Sequence, residues 1–234
     1  MCNNQEIKYP HLSLLISGGN TQLILSPRSG AYHILGQTID DAVGEALDKI
    51  ARNICTEWSS SGGLGKALEM LAKNGNVVPF SIRNLDHVQN PLNFSFSGIK
   101  TALNDFIRSS TNNYSKADIA TTVQSVLFNQ LISRVETCLD VLTASSVEVK
   151  QLSIIGGVAS NQYLRTIMQN VAQNYKLDLI IPPVEICTDN AHMIGLAALS
   201  LIRDKKKFCF DNNLSRPIQE WNVEELSISK CIFE

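Results

Sequence analysis

Two glycine pairs, Gly18-Gly19 and Gly156-Gly157, each follow a short apolar run, at residues 12–16 and 151–155. A β-prone run that ends at Gly-Gly indicates a strand followed by a tight turn. After the second pair, apolar runs alternate with helical patterns, which is typical of parallel strands joined by crossover helices. Because ligands bind at the carboxyl ends of such strands, the sequence predicts an α/β fold with a binding site at these glycines.

Composition and charge exclude several classes of protein. The chain has 234 residues, of which 44% are hydrophobic and 18% charged, with a formal net charge of -2. A disordered chain has fewer apolar residues, and a strongly basic nucleic-acid binder has a large positive charge. The expectation is therefore one large globular domain or two small ones.

The cysteines and the longest apolar stretch bear on compartment and membrane. The six cysteines form no Cys-x-x-Cys pair and follow no secretory segment, so we expect reduced, mostly buried thiols of an intracellular protein. No organelle transit peptide is visible at the N-terminus. The apolar stretch 193–202 is too short to span a bilayer, and no membrane partner is expected.

Local patterns predict the order of elements. A three-stranded meander is expected over residues 12–35, followed by an amphipathic helix over 39–54 with Thr38 as its N-cap and with Asp40 and Asp41 in its first turn. Ser97 is expected to cap a later helix. The remaining expected elements are helices at 64–73 and 117–145, strands at 151–155 and 177–181, and helices at 161–173 and 189–202.

Carboxylates are the other candidate site residues. Asp41, Glu45 and Asp48 share one face of the first predicted helix, which suits hydrogen bonding to ligand hydroxyls or pairing with lysine; the alternative is a solvated acidic face. Asp189 is either a helix cap or a metal ligand. No His-x-x-x-His pair is present, so the residues alone do not form a complete metal site.

Seven blocks in this order resemble the TsaD family of tRNA N6-adenosine threonylcarbamoyltransferases, and SGGLGKALEMLAKNGN is most similar to its mitochondrial branch. The blocks are LLISGGNTQLIL (14–25), TIDDAVGEALDKIAR (38–52), SGG (61–63), NFSFSGIKTAL (93–103), ADIATTVQ (117–124), IIGGVASNQYLR (154–165) and PPVEICTDNAHMIGLA (182–197).

The resemblance implies an actin-like fold of the sugar kinase, Hsp70 and actin type, with a mixed sheet and flanking helices. It implies transfer of the threonylcarbamoyl group from threonylcarbamoyl-AMP to N6 of adenosine 37 in tRNAs that read codons beginning with A. The implied partners are tRNA, this adenylate and a possible second copy in a homodimer. The implied compartment is the mitochondrion, otherwise the cytoplasm.

The resemblance also carries over site residues. It places the phosphate and acyl part of the ligand at the turn after the first strand, the ribose near the first two helices, and one divalent metal ion, iron or zinc, at an aspartate. The implied substrate-binding residues are Leu15, Ile16, Ser17, Gly18, Gly19, Asp48, Gly63 and Asn161, and the implied metal ligand is Asp189. No catalytic residue is assigned.

The chain departs from the family pattern in two places. Family members carry a further N-terminal lobe whose His-x-x-x-His pair binds the metal together with the aspartate, and this pair is absent here. Asn20 stands where the family usually has histidine. We therefore expect residues 10–203 to form a C-terminal lobe, incomplete at its N-terminus, with a helical insertion at about 38–145, followed by an extension at 204–234.

Two other functions remain open. One is a non-catalytic nucleotide-binding or interaction module, which the missing histidine pair favours. The other is an actin-fold small-molecule kinase, which the blocks at 93–101 and 187–190 do not favour. For the threonylcarbamoyltransferase itself, the expectation is negligible transfer by this chain alone, because the N-terminal lobe with the histidine pair is missing.

Overall fold

The computed structural model describes residues 6–55, 63–81, 90–110 and 113–203, and over these ranges the strands form one mixed five-stranded sheet. Its order is β3-β2-β1-β4-β5. The first three strands pair antiparallel, whereas β1 with β4 and β4 with β5 pair parallel. The strands are β1 (His11–Ile16), β2 (Thr21–Arg28), β3 (Ala31–Gln37), β4 (Gln151–Ile155) and β5 (Asp178–Ile180).

Helices pack on the apolar face of this sheet. Leu12, Leu14 and Ile16 of β1 are fully buried in the same core as the inward side chains of the first five helices. The described helices are α1 (Val43–Ala51), α2 (Gly63–Ala72), α3 (Ser97–Ser110), α4 (Lys116–Ala144), α5 (Gln162–Asn174) and α6 (Ala191–Arg203). Short 3₁₀ turns cover Gly157–Ser160 and Val184–Ile186.

The polar face of β1 and β4 carries a buried hydrogen-bonded chain. His11 is only 5% exposed, and its Nε2 lies 2.9 Å from the hydroxyl of Ser153. Ser153 in turn donates to the Ser13 hydroxyl at 2.9 Å. Alternation along β1 thus places apolar side chains toward the helices and these polar side chains on the opposite face.

The predicted meander and the parallel arrangement of the later strands are both confirmed. Pairing of β1 with β4 places the ends of both glycine-terminated strands side by side at one edge, because Leu15 lies opposite Ile155. No helix within the described ranges has the length and apolar character needed to cross a bilayer. The predicted extension at 204–234 lies outside the described residues.

The prediction of α1 was wrong at its start. Thr38 does not cap the helix; it forms a bridge with Phe94, and α1 begins at Val43. The amide of Val43 donates to the Thr21 hydroxyl at 2.9 Å, so a side chain from β2 satisfies the first turn. The backbone before residue 43 stays outside the helix because the amides of Thr38 and Ile39 bond to the carbonyls of Thr21 and Phe94 at 2.8 and 3.0 Å.

Asp40 and Asp41 therefore lie outside α1. Asp40 accepts hydrogen bonds from the amides of Phe96 and Ser97 at 2.7 and 3.3 Å, at the start of α3. Asp41 pairs with Lys100 and with Lys49, and the hydrogen bond from Lys100 is the main cause that lowers the pKa of Asp41. These ion pairs join α1 to α3.

The acidic face of α1 was predicted as a ligand or lysine surface. Glu45 pairs with Lys49 at 2.8 Å, so the lysine-pairing prediction is confirmed for Glu45 as it is for Asp41. Asp48 stands apart from these pairs: it is exposed and faces the start of α2. Only Asp48 of the three carboxylates is placed to meet a ligand.

Candidate functional site

The turn after β1 is closed by its own serine. The Ser17 hydroxyl accepts from the amides of Gly19 and Asn20 at 3.2 and 3.0 Å, and the Ser17 amide donates to the Asn20 carbonyl at 2.8 Å. A side chain built on Gly18 or Gly19 would meet no atom within 4 Å. The backbone of both glycines therefore faces open space that a ligand can enter.

Close packing at the ends of β1 and β4 requires glycine at one position. Gly156 has φ +98, and a Cβ atom there would lie 2.3 Å from the Ile16 carbonyl oxygen. L-amino acids with side chains rarely adopt this φ, and no side chain fits the space. Gly156 therefore brings the turn at Gly157 against the end of β1.

A first hollow, which we call the Asp189 hollow, lies between the β1 turn and the start of α6. It has a volume of about 710 Å³. Its floor is formed by the ends of β1 and β4, and its far wall by the segment that leads into α6. Its lining residues include Leu15, Ser17, Gly18, Gly19, Gly157, Pro182, Cys187, Asp189, His192 and Met193.

A second hollow, the Asp48 hollow, lies between α1, the start of α2 and the 3₁₀ turn at Gly157. It has a volume of about 520 Å³. Three carboxylates and one lysine give its lining a net negative formal charge. Its lining residues include Gly18, Gly44, Asp48, Gly63, Gly65, Lys66, Glu69, Gly157, Asn161, Glu185 and Thr188.

The two hollows meet. Gly18 and Gly157 line both of them, so the hollows adjoin at the ends of β1 and β4, and we call the pair the joint hollow. With the exception of Ile16, every substrate-binding residue implied by the sequence lines the joint hollow, and so does Asp189. Ile16 lines neither part, because its side chain is fully buried in the core.

Asp48 combines a structural hydrogen bond with an accessible oxygen. Its Oδ1 accepts from the Gly65 amide at 3.1 Å, in the first turn of α2. Asp48 is exposed and lines the Asp48 hollow, and its Oδ2 accepts no hydrogen bond from the residues that the structure describes. Gly63, with φ +70 and open space at its Cβ position, forms the adjoining rim.

Asn161 is held by the fold. Its Oδ1 accepts from the Leu164 amide at 3.1 Å, which makes it the N-cap of α5, and its Nδ2 donates to Gln124 Oε1 at 2.7 Å. Both side chains are buried. Asn161 therefore presents a fixed amide at the hollow, with one N–H and one lone pair beyond these two bonds.

Sequence reasoning missed a buried ion pair in the same wall. Glu69 is 5% exposed; its Oε2 pairs with Lys66 at 2.6 Å and its Oε1 accepts from the Gln162 amide at 2.8 Å. The missed signal was position: Glu69 falls on the apolar stripe of α2 with Leu64 and Ala72. A carboxylate at a core-facing position requires such partners.

Asp189 is exposed at the other end of the joint hollow. It does not cap α6, since Asn190 accepts from the Met193 amide at 3.1 Å and fills that role. Among the described residues no group hydrogen-bonds to or pairs with the Asp189 carboxylate. His192 lines the same hollow, three residues later.

These residues do not fit a protein-bound metal ion by themselves. Stable transition-metal sites in proteins use three or four protein ligands. Over residues 6–55, 63–81, 90–110 and 113–203, no group of three or more histidine, cysteine, aspartate or glutamate side chains is arranged to hold one. His11 is bonded to Ser153 on the sheet, away from the hollow.

Comparison with known proteins gives one family. The family model described as TsaD, tRNA N6-adenosine threonylcarbamoyltransferase, matches residues 1–196. A protein of Wolbachia pipientis wMel named tRNA N6-adenosine threonylcarbamoyltransferase is 33% identical over 220 residues, which cover 94% of this chain and 63% of that protein. The chain thus spans less than two thirds of this relative.

A plant relative and a solved structure are also similar. An Arabidopsis thaliana protein named probable tRNA N6-adenosine threonylcarbamoyltransferase, mitochondrial, is 36% identical over 214 residues, which cover 85% of this chain and 44% of that protein. The crystal structure of T. kodakarensis HypF aligns with TM-score 0.49 and 23% identity, over 71% of this chain and 21% of that one.

Proposed function

The chain belongs to the TsaD family of tRNA N6-adenosine threonylcarbamoyltransferases, and on that premise we propose that its joint hollow binds the adenylate of threonylcarbamoyl-AMP. The observation that carries the proposal is the continuity of the two hollows through Gly18 and Gly157. A nucleoside part and an acyl-phosphate part can then lie on either side of the two glycine backbones. Together they form a single extended site.

The nucleoside side of the proposed site is the Asp48 hollow. Oδ2 of Asp48 accepts a hydrogen bond from a ribose hydroxyl, while Oδ1 stays bonded to Gly65. Gly63 leaves room for the sugar, and the fixed amide of Asn161 borders the same space. The buried Asn161 favours a ligand that complements its remaining N–H and lone pair, because an unmatched buried polar group is costly.

The acyl-phosphate side is the turn after β1. The Gly18 and Gly19 backbone lies in the open, at the end of a strand, where a phosphate can approach closely. Among the described residues the Gly18 amide makes no hydrogen bond, so it is the donor available to that group. Asp189 borders the far end of this space.

In the proposed reaction, the N6 amine of the tRNA adenosine attacks the carbamoyl carbon. The new C–N bond replaces the C–O bond to phosphate, AMP leaves, and the amine loses one proton. A family metal ion, when bound, would supply charge stabilisation for the acyl-phosphate. Since the described residues do not complete a metal site, the role assigned to Asp189 is that of one contributing carboxylate.

The wider architecture is proposed on the same basis. The mixed sheet with flanking helices suits one lobe of an actin-like fold, with residues 10–203 as the lobe, 38–145 as a helical insertion and 204–234 as an extension. The proposed partner is tRNA. A mitochondrial location follows the plant relative by analogy.

The sharpest test uses the ribose. Titration calorimetry of the full chain would compare AMP with 2′,3′-dideoxy-AMP, for the natural sequence and for Asp48→Ala. We expect the natural chain to prefer AMP by about tenfold or more, as for a hydrogen bond to a charged group, and Asp48→Ala to lose that preference. Asp105→Ala, an exposed change on α3, is the matched control.

Two results would overturn the proposal. If the natural chain bound neither nucleotide, the joint hollow would not be an adenylate site. If Asp48→Ala kept the preference for AMP, the ribose would lie elsewhere. Transfer of labelled threonylcarbamoyl to tRNA by this chain alone would exclude the alternative function, a non-catalytic nucleotide-binding module.

A further inference from the structure

Arg165, on α5, hydrogen-bonds to two separate segments of the chain. Its Nε donates to the Ala159 carbonyl at 2.7 Å, and its Nη2 donates to the Pro182 carbonyl at 2.6 Å and to Cys187 Sγ at 3.2 Å. Ala159 belongs to the 3₁₀ turn after β4. Pro182 and Cys187 flank the 3₁₀ turn after β5.

These two segments form facing walls of the joint hollow. The first wall contributes Gly157 and Val158, and the second contributes Ile186, Cys187 and Asp189. Arg165 itself lines neither hollow and is half-buried behind them. It is therefore placed to set the separation of the walls without touching a ligand.

No alternative hydrogen bond ties these walls together within the described residues. Every hydrogen bond that links Gly157–Ser160 to the stretch 182–190 passes through the Arg165 guanidinium. The two walls also approach each other by packing, since a Cβ atom built on Gly157 would be at an ordinary contact distance, 3.7 Å, from a methyl carbon of Thr188. If the guanidinium were removed, only packing contacts would hold the two walls at their present separation.

The chemistry of arginine suits this task. The guanidinium is a rigid plane whose donors point in different directions, so one side chain can bond carbonyls on two segments at once. Its acceptors are backbone carbonyls and a thiol, and no described carboxylate lies within ion-pair distance. Burial raises the pKa of the Cys187 thiol, with Arg165 opposing part of that rise, and the thiol stays close to the Pro183 carbonyl at 3.4 Å.

We infer that Arg165 is a positioning residue, which sets the width of the joint hollow by tying the turn after β4 to the turn after β5. The inference rests on the proposed function, since the width matters only if the hollow binds a ligand. It assigns to α5 a role beyond packing: α5 carries the tie, while Asn161 at its start borders the hollow. The ligand class is the adenylate.

The test compares Arg165→Met and Arg165→Lys with the natural chain, and Arg28→Met, an exposed change on β2, is the control. Titration calorimetry with AMP, well below the unfolding temperature of every variant, gives the dissociation constants. We expect Arg165→Met to weaken AMP binding about tenfold or more, because two charge-assisted hydrogen bonds are lost. Arg165→Lys should fall between Met and the natural chain, and Arg28→Met should match the natural chain.

A second measurement separates positioning from general loosening. Alkylation by iodoacetamide, followed by peptide mass spectrometry, reports Cys187 at the wall and Cys138 in the core of α4; both are buried. Loss of the arginine cation by itself would raise the Cys187 pKa and slow alkylation, so we expect the widened wall to outweigh this effect and Arg165→Met to speed alkylation of Cys187 selectively. Equal acceleration of both thiols would mean general destabilisation and would overturn the inference.

The inference and the proposed function fail in different ways. If the natural chain binds AMP and folded Arg165→Met binds it equally well, the tie has no role in binding, and only the inference fails. If the natural chain does not bind AMP while Cys187 alone becomes reactive in Arg165→Met, the tie between the walls is real and the proposed ligand is wrong.

Discussion

Two glycines of the site make close backbone contacts that a side chain would break. Gly44, in the first turn of α1, donates its amide to the Ser17 carbonyl at 3.2 Å, and a Cβ atom there would lie 2.5 Å from that oxygen. Gly156 makes the equivalent approach to Ile16. The β1 turn is thus held on one side by α1 and on the other by the end of β4.

Gly44→Ala tests this contact, because we expect it to change stability in the opposite direction from a usual glycine-to-alanine substitution in a helix. Alanine in place of glycine normally stabilises a helix by about 0.5–1 kcal/mol. Here the methyl group would displace the Ser17 backbone, so we expect a loss of about 1–2 kcal/mol in the free energy of unfolding, as for overpacked cores. Urea unfolding measures this loss of stability. Titration with AMP measures whether displacement of the β1 turn also weakens AMP binding.

Gly65→Ala is the matched control for that change. Gly65 also lies in the first turn of a helix, but the nearest atom to its Cβ position is Asp48 Oδ1 at 3.6 Å, an ordinary contact. We expect Gly65→Ala to be neutral or stabilising. If both substitutions increased stability, the turn at Ser17 would move away from α1 at little cost. The contact would then not require glycine at position 44.

His11 links a single residue to the pH dependence of stability. Burial lowers the pKa of His11, and its Nδ1 has no hydrogen-bond partner among the described residues. The unfolded chain therefore takes up a proton near the ordinary pKa of about 6.5, at a pH where the folded chain does not. The contribution of His11 to stability is complete above that pH and is lost as the pH falls below it.

His11→Gln should flatten this acid-side loss. The free energy of unfolding would be measured in urea between pH 7.5 and 5.5, and we expect a smaller decline for His11→Gln than for the natural chain. His33→Gln, on the exposed side of β3, is the control and should retain the natural decline. Parallel curves for the natural chain and His11→Gln would place the titrating group elsewhere.

At the scale of elements, the starts of α1 and α3 are fixed by residues far away in sequence. The amide of Val43 bonds to Thr21, and the amides that open α3 bond to Asp40. Ser95 also donates to Asp40 at 2.6 Å. One carboxylate thus satisfies several groups at the N-terminus of α3, where the helix dipole favours a negative charge.

Asp40→Ala should therefore cost stability as the loss of an N-cap does. We expect a decrease of about 1–2 kcal/mol in the free energy of unfolding, measured in urea. Asp105, on the exposed face of the same helix, makes a weak ion pair with Arg108 at 3.8 Å, so Asp105→Ala should cost about 0.5 kcal/mol or less. Equal costs for the two changes would contradict the capping role of Asp40.

Local patterns predicted the strands and most helices because the alternation of apolar residues is a property of a short window. The start of α1 could not be predicted in this way: Thr38 and Asp40 have the chemistry of local caps, yet the Thr38 amide bonds to β2 and the Asp40 carboxylate bonds to the start of α3. Asp189 also precedes a helix, α6, but the neighbouring Asn190 caps it. A cap residue is readable from sequence, but its partner is set by tertiary packing.

At the scale of the whole molecule, the joint hollow is assembled from segments far apart in the chain. Pairing of β1 with β4 brings residues 15–19 beside residues 155–157, although the helices α1 to α4 intervene. The glycines at the ends of these two strands predicted a binding site at this edge of the sheet. Lys66 and Thr188 were not predicted, because their approach depends on how α2 and the stretch after β5 pack against it.

A site built from such distant segments should couple ligand binding to the stability of the whole chain. An adenylate bound between the β1 turn, α2 and the turn after β4 stabilises only the folded state, because only there are all three segments in place. At an AMP concentration of 100 times its dissociation constant, the expected gain is about 2.7 kcal/mol. For a chain of this size that corresponds to a rise of roughly 5–10 °C in Tm.

Differential scanning calorimetry with AMP would measure this rise, and Asp48→Ala at the same AMP concentration should show a smaller one because its dissociation constant is higher. When AMP is added, the unfolding transition should shift as a single peak, because the β1–β4 pairing makes the meander and the later strands one sheet. If AMP instead split the transition, so that one part shifted and another did not, the hollow would lie within one independently folding segment. The three segments would then not form the site together.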